Sequence, residues 1–371
     1  MPFSEVIMIV HVPHPDLPPP STSTGIIGWL RTNLFSSPAN SILTLFAMYL
    51  LYHFIPPILN WTLLDANWVG STKDACTNDG ACWVFIKVRF HQFMFGFYPP
   101  SEYWRAILAF ILIGFLILYL LIDRTPKKSW VAAFTVLIFP IVAFFLFYGG
   151  FGLPVVETYK WGGLMLTLIL STIGMFFALP FGIILALGRR SSMPIPRVLS
   201  ILFIELWRGV PLITVLFMSS VMLPLFMPEE LRIDKLLRAL IGISLFQSAY
   251  MAEVVRSGLQ ALPKGQTEAA DALGLGYWQA MFLIILPQAL KTVIPGIVNT
   301  FIELFKDTTL VLIIGLFDLL AIIQAAFTDP KWLGFSVEGY VFAGLLYWIF
   351  CFSMSQYSQH LERKLHTGHT N

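Results

Sequence analysis

Apolar residues fall into long runs along this chain, and short polar segments separate the runs. A run of about 20 apolar residues is long enough to cross the hydrocarbon core of a bilayer as an α-helix. The pattern predicts about eight such helices. They cover residues 41–59, 104–122, 130–148, 159–187, 198–226, 236–259, 284–304 and 340–357.

Two further apolar stretches lack the character of a full span. Residues 83–98 are aromatic but carry basic side chains, so we interpret them as an interfacial segment. A crossing there would instead invert the topology of everything upstream. Residues 310–327 are interrupted by Gly315 and Asp318, which favours a partly inserted segment.

The composition indicates the same class of protein. Hydrophobic residues make up 57% of the chain and charged residues 12%, whereas about 25% of a soluble domain is charged. We therefore predict an all-α integral membrane protein. A formal net charge of +2 gives no support for nucleic-acid binding. The proline-rich start has no signal-peptide pattern, and we expect residues 1–40 to form a disordered tail.

The distribution of charge between loops predicts the topology. The loops at 123–129 and 189–197 and the C-terminus lie on one side, and they contain Arg124, Lys127, Lys128, Arg189, Arg190, Arg197, Arg363 and Lys364. The loops near 149–160 and 227–235 are mixed or acidic, with Glu157, Glu229, Glu230 and Asp234. Because cytoplasmic loops carry an excess of Lys and Arg, both termini are expected in the cytoplasm.

Residues 261–288 form a polar, glycine-marked segment between two apolar ones, and we name it the coupling segment. Thr267 is placed to cap a short helix, and Glu268 and Asp271 suit its partly positive start. Gly274 ends that helix, and a second short one follows. Composition alone leaves two interpretations open. The segment is either a helical pair that fits a groove on another protein or an amphipathic loop on the membrane surface.

The order of residues in this segment resembles the EAA---G---------I-LP coupling loop of binding-protein-dependent ABC importer permeases. The matching residues are Glu268, Ala269, Ala270, Gly274, Ile284, Leu286 and Pro287. The resemblance implies that the segment lies in the cytoplasm and docks into a cleft of a separate ATPase subunit.

Charged side chains inside the predicted spans are candidates for the substrate path, because each costs about 2.5–3.5 kcal/mol to insert without a partner or water. Glu205 and Arg208 share a helix face. Either they form an internal ion pair, or Arg208 binds a substrate carboxylate in a bidentate manner. Tyr250 and Glu253 share another face, and Glu253 is a candidate for binding an ammonium group.

Three stretches resemble signatures of the polar amino-acid uptake permeases. Glu205–Leu212 is similar to ELxRGxPL, and Ala249–Gly274 is similar to AYxxExxRxGxxxxxxGQxEAAxxLG. Lys306–Leu310 is similar to KDTSL, with Thr309 in place of serine, which keeps the hydroxyl. By this resemblance Lys306, Asp307 and Thr308 join the substrate-path candidates.

The resemblance covers about residues 155–365 and implies a C-terminal five-helix core of the ABC type I permease fold. It is strongest to the larger, M-type permease subunit of general L-amino-acid transport systems, which has a similar long N-terminal extension. The predicted domains are the tail 1–40, an extension with three membrane helices 41–153, the permease domain 154–365 and the tail 366–371.

Two cysteines lie in a predicted extracytoplasmic loop. Cys76 and Cys82 are six residues apart, and a disulfide between them is expected if that topology holds. No metal site is predicted, because two cysteines without histidine partners make a poor one.

These features together lead to an expected function. The chain is expected to be a permease subunit that moves polar L-amino acids across a bacterial inner membrane. The implied partners are a cytoplasmic ABC ATPase dimer with ATP and Mg²⁺, a second related permease subunit, an extracytoplasmic amino-acid-binding protein and the lipid bilayer. The chain has no Gly-Lys-Ser/Thr of a P-loop, so we expect it to be no enzyme and to hold no cofactor itself.

Two alternatives compete with the importer. An ion- or proton-coupled secondary transporter would use the charges of Glu205, Arg208 and Glu253 directly, but such proteins often show repeated halves, which this sequence lacks. A membrane scaffold or sensor subunit without transport is the other alternative, and the intact coupling segment argues against it.

Overall fold

The computed structural model describes residues 25–77, 79–122, 125–228 and 233–366. The chain forms two compact units, Met1–Asn67 with Thr77–Ala81, and Trp68–Cys76 with Cys82–Asn371. Residues 1–24 of the predicted tail 1–40, residues 367–371 of the predicted tail 366–371, and the predicted loop charges Arg124, Glu229 and Glu230 lie outside the described residues.

The first unit contains two helices, α1 (Gly25–Asn33) and α2 (Pro38–Leu59). The predicted disordered tail 1–40 is therefore wrong for its last part, where apolar residues form α1 and Ser37 caps α2 by accepting the backbone N–H of Asn40. The predicted first span, 41–59, falls within α2. The helix continues past Pro56 and Pro57 into a π-helical turn that ends at Leu64, because the N–H of Asn60 donates to the carbonyls of both prolines.

The helices of the second unit follow in chain order. They are α3 (Trp83–Phe95), α4 (Tyr103–Leu121), α5 (Lys128–Leu137), α6 (Phe139–Tyr148), α7 (Gly163–Arg190), α8 (Pro194–Arg208), α9 (Leu212–Phe217), α10 (Lys235–Ala261), α11 (Gly265–Ala272), α12 (Tyr277–Ala280), α13 (Leu286–Thr292), α14 (Ile294–Asp307), α15 (Leu319–Phe327) and α16 (Ser336–His366). One short strand, β1 (Phe317–Asp318), pairs in parallel with Gly162 and Gly163.

Helix α3 corresponds to the stretch predicted to be interfacial. Its 13 residues extend only about 20 Å, which is too short for a span. Val84, Phe85 and Phe93 are fully buried against α15 and α16. Protein therefore covers this face of the helix, and the interfacial position of the segment stays a prediction.

The long helices α7 and α10 pack along each other and form the centre of the second unit. Small residues allow the close approach: a Cβ added at Gly182 would lie 2.7 Å from the side chain of Met251. The chain bends by 100° between α8 and α9, at Gly209 and Pro211, where α8 ends and α9 begins.

The two ends of α7 and α10 carry different segments. One end carries the coupling segment and the loop after Arg190. At the other end, named here the far end, the hydroxyl of Thr158 donates to Asp234 over 2.6 Å, and β1 lies beside Gly162. This placement agrees with the predicted grouping of loops.

By length and composition, the described helices include four candidate spans, or up to seven if each of three bent helix pairs is one span. Of the eight predicted spans, seven correspond to these candidates or bent pairs, and 236–259 does not. It corresponds to α10, which has 27 residues but carries Arg238, Glu253 and Arg256 along its length. Whether α10 makes the eighth span stays a prediction. The predicted partly inserted segment 310–327 is broken into a 3₁₀ turn, β1 and α15.

The far end is closed by contacts between α3, the loop before it and the start of α16. Cys76 and Cys82 are joined by a disulfide, with their Cα atoms 5.7 Å apart. The backbone N–H of Cys82 donates to the buried carboxylate of Glu338 over 3.0 Å, and Arg89 forms an ion pair with Asp329.

The predicted domain boundary at 153/154 does not coincide with a division in packing. Phe95, Ala106 and Phe147 precede it, yet they share one buried core with Leu166 and Leu216 of the predicted permease domain.

Candidate functional site

The coupling segment folds as two short helices about a glycine elbow, as predicted. Helix α11 begins at Gly265 with Lys264 before it, so Thr267 lies inside the helix and not at the predicted cap position. Gly274 has φ +72°, a left-handed conformation that glycine adopts at low cost. The N–H of Leu275 then donates to the carbonyl of Ala270 over 3.1 Å and closes the helix end.

The residues of the Glu-Ala-Ala motif differ in exposure. Glu268 and Ala269 are exposed, whereas Ala270 is buried at 1% exposure and faces the rest of the segment. The side chains around the elbow form an exposed apolar surface, named here the coupling patch. It consists of Leu273, Tyr277, Trp278, Phe282 and Leu283.

The base of the coupling segment is anchored on α7 and α10. Met281, Ile285 and Leu286 are buried in one apolar cluster with Leu187 of α7 and Val255 of α10. Pro287 follows and is exposed, one residue inside α13. The coupling segment is therefore packed directly against the two central helices.

A cluster of charges lies between this base and α8. The carboxylate of Glu253 accepts from Arg189 over 2.9 Å and from Arg256 over 2.6 Å, and Arg208 lies 3.8 Å away. Arg189 also donates to Glu205 over 2.9 Å. Three guanidinium groups thus share two carboxylates, so the cluster has a surplus of positive charge.

The structure changes the predicted pairing within this cluster. Glu205 and Arg208 share a face of α8, but each binds a charge on a neighbouring helix and they do not pair with each other. Glu253 is engaged by arginines, so its carboxylate is not open to an ammonium group in this conformation. The missed residue is Arg189, whose position at the end of an apolar run indicated only topology.

A second group of candidates lines a pocket of about 280 Å³ between α10 and α14. Tyr250, Lys306 and Asp307 are brought together there, and Gln247 and Glu303 join them without having been predicted. Thr308 is fully buried, and its hydroxyl donates to the carbonyl of Phe305 over 2.8 Å, so it supports the turn and does not line the pocket.

Tyr250 connects the pocket with the charge cluster. Its ring lies 5.6 Å from the guanidinium of Arg208, at cation–π distance, and 4.9 Å from the ring of Phe246, which also lines the pocket. A mixed set of a lysine, two acids, an amide and a phenol suits a small zwitterionic molecule. These residues stay predicted site residues.

Comparison with known proteins identifies the family. Residues 178–367 match the family described as "Binding-protein-dependent transport system inner membrane component". The inner membrane amino-acid ABC transporter permease protein YhdY of Escherichia coli strain K12 is 60% identical, over 96% of this chain and 98% of that protein.

Two further matches have a similar description. The glutamate/glutamine/aspartate/asparagine transport system permease protein BztC of Rhodobacter capsulatus is 39% identical, over 95% of this chain and 96% of that protein. A crystal structure of an amino acid ABC transporter with histidines is 29% identical and covers 54% of this chain and 92% of that chain, with a TM-score of 0.49.

These matches confirm the predicted family and the prediction that the chain is a permease subunit of an ABC transporter and not an enzyme. The family match and YhdY also support the predicted fold class and an inner-membrane location. The chain belongs to the family of inner membrane components of binding-protein-dependent transport systems.

Proposed function

We propose that this chain is the permease subunit of an ATP-driven importer of polar L-amino acids. A separate ATPase dimer docks on the coupling patch and supplies the energy. An extracytoplasmic binding protein delivers the substrate, and a second, related permease subunit completes the pathway. ATP and Mg²⁺ are bound by the ATPase and not by this chain.

The observation that carries this proposal is the coupling patch on its rigid base. Exposed aromatic and aliphatic side chains such as Trp278 and Phe282 surround a glycine elbow, while Met281 and Leu286 bind the segment to α7 and α10. An exposed apolar surface of this kind is typical of a site for another protein. Its position at the end of the two central helices suits the transmission of ATPase closure to the membrane.

The substrate class is supported by two lines of argument. The relatives YhdY and BztC are named as amino-acid permeases. The pocket between α10 and α14 offers Lys306 to a carboxylate and Glu303 or Asp307 to an ammonium group. We therefore assign amino-acid passage to this pocket, with Tyr250 between it and the arginine cluster.

The proposed orientation places the coupling segment and both termini in the cytoplasm. The supporting observation is that the end of α7 and α10 with the coupling segment also carries Arg189 and Arg190, whereas at the far end Lys160 and Lys235 are balanced by Glu157 and Asp234. An ion- or proton-coupled transporter has no support from the relatives, which are named as ABC permeases.

The test combines uptake with co-purification. Uptake of a panel of labelled amino acids is measured in cells with the intact chain, without it, and with Trp278→Ala. Trp348→Ala is the matched control, because both indoles are 59% exposed but Trp348 lies on α16.

We expect Trp278→Ala, and not Trp348→Ala, to lose both the co-purifying ATPase and uptake of several polar amino acids. Normal uptake across the panel without the chain would contradict the proposed substrate class. Full ATPase binding by Trp278→Ala would contradict the proposed role of the coupling patch.

A further inference from the structure

A groove of about 920 Å³ runs along α7 and α10 from the far end, and the proposed transport mechanism does not use it. Helix α6 of the extension forms its third wall through Phe144. Its walls are otherwise aliphatic and aromatic, with Ile173 and Phe177 on α7 and Leu240 and Ile241 on α10. The groove is therefore suited to an apolar occupant.

The length of the groove matches one leaflet of a bilayer. Its lining extends from Ile169 to Phe181 on α7 and from Leu236 to Ser248 on α10. Each stretch rises about 18 Å at 1.5 Å per residue, whereas one leaflet contributes about 15 Å of a hydrocarbon core about 30 Å thick. A membrane-spanning helix needs the full thickness of the hydrocarbon core, and the groove is shorter than that. Its length instead matches that of an acyl chain in one leaflet.

The mouth of the groove, at the far end, is polar. Glu157, Thr158, Asp234 and Lys235 line it. Asp234 is occupied, because its carboxylate accepts from the N–H of Leu236 over 2.9 Å and from the hydroxyl of Thr158 over 2.6 Å. Within the part of the chain that the structure describes, Lys235 and Glu157 form no ion pair, so one cation and one carboxylate remain for a ligand.

We infer that this groove binds a phospholipid with a zwitterionic, ammonium-bearing headgroup. Its acyl chains lie between α6, α7 and α10. Lys235 binds the phosphate, and Glu157 binds the ammonium group. The extension thereby contributes a lipid site through α6, in the outer leaflet if the proposed orientation holds. Lipid binding requires neither ATPase nor substrate, so its failure is distinguishable from a failure of the proposed function.

The first test fills the groove. The intact transporter, purified in mild detergent, is titrated with phosphatidylethanolamine or phosphatidylglycerol, and bound lipid is counted by native mass spectrometry. We expect tighter binding of phosphatidylethanolamine. Ser244→Trp places an indole in the groove and is expected to lower that affinity at least about tenfold. Leu202→Trp, on the exposed face of α8, is the control and should bind as the unaltered chain does.

The second test changes the mouth without adding volume. Lys235→Gln removes the partner of the phosphate and is expected to weaken binding about tenfold, as for the loss of a charged hydrogen bond. Lys331→Gln, in the loop before α16, should leave binding unchanged.

Three results would overturn the inference. They are equal binding by Ser244→Trp and the unaltered chain, equal affinity for the two lipids, and capture of protein in place of lipid by a photoreactive residue at Ile241. If Ser244→Trp fails to fold, Lys235→Gln and the photoreactive residue still decide the question.

Discussion

The guanidinium of Arg189 lies 2.9 Å from the carboxylate of Glu253, although 64 positions separate the two residues. Arg189 lies in the last turn of α7, and Glu253 lies on α10 before the coupling segment. The pair therefore joins the two helices that hold the base of that segment.

Removing one charge of this pair is expected to destabilise the folded protein. Glu253→Gln leaves three neighbouring guanidinium groups with Glu205 as the one remaining carboxylate of the cluster. Because Glu253 is only 16% exposed, we expect a loss of about 1–3 kcal/mol in the free energy of unfolding. The thermal midpoint of the detergent-solubilised transporter gives the measurement.

The coupling between the two residues is tested by a double-mutant cycle with Arg189→Gln. The double variant should lose less stability than the sum of the two single variants. Arg190→Gln is the control, because this exposed neighbour has no part in the cluster. Purely additive effects of Arg189→Gln and Glu253→Gln would contradict the pairing.

The elbow of the coupling segment is expected to need glycine for its backbone and not for space. A Cβ added at Gly274 meets nothing within 4 Å, yet φ is +72°. Gly274→Ala should therefore cost about 1–2 kcal/mol of local backbone strain and uncouple transport from ATP hydrolysis. Uptake and ATPase activity are measured together in vesicles.

Gly276→Ala is the matched control for the elbow. It lies two residues further on at φ −66°, and its nearest atom to an added Cβ is 3.6 Å away. This variant should keep its coupling. Equal loss of uptake in both variants would show that the added methyl group, and not the backbone, is responsible.

The pocket between α10 and α14 is expected to determine the affinity for substrate. Lys306→Gln removes the cation available to a substrate carboxylate and should lower uptake about tenfold or more at low substrate concentration. Lys291→Gln, an exposed residue on α13 outside the pocket, should leave uptake unchanged. Similar uptake by both variants would remove Lys306 from the substrate path.

The far end is expected to weaken at acidic pH. The N–H of Lys331 lowers the pKa of the Asp329 carboxyl, and the Arg89 guanidinium lowers it further. A carboxyl with a lowered pKa stabilises the fold above its unfolded pKa of about 3.9, and the contribution is lost as pH falls through the folded value.

Asp329→Asn should therefore lower the thermal midpoint at neutral pH, and its deficit should shrink as the pH falls below about 4. Thermal unfolding of both chains across that range gives the measurement. A deficit that stays constant with pH would mean that the charge of Asp329 does not contribute.

Local patterns were enough to predict the helices and the glycine elbow. Helices α2, α4 and α16 coincide with spans that were predicted from the length of apolar runs. A helix surrounded by lipid needs only a long enough run of apolar residues, and this is visible in the sequence. Gly274 was identified from its position in the motif, and its left-handed backbone conformation is one that favours glycine. Such features depend on neighbours within one helix or turn.

Contacts between distant helices were not predictable in the same way. Glu205 and Arg208 are close along α8, but the rotation of that helix directs them to Arg189 and Glu253. Hydrophobic periodicity does not determine this rotation finely enough to choose among several arginines. The burial of α3 was missed for a related reason, because an apolar face has the same sequence pattern whether lipid or protein covers it.

The core shared across residue 153 limits how this chain can be divided for protein engineering. A chimera that keeps residues 154–371 and replaces everything before them would leave Leu166 and Leu216 without Phe95, Ala106 and Phe147. Exposed core of this kind favours misassembly and proteolysis during membrane insertion. A junction near Asn67 keeps these core partners in one piece, and because Thr77–Ala81 belong to the first unit, that segment has to be exchanged together with it.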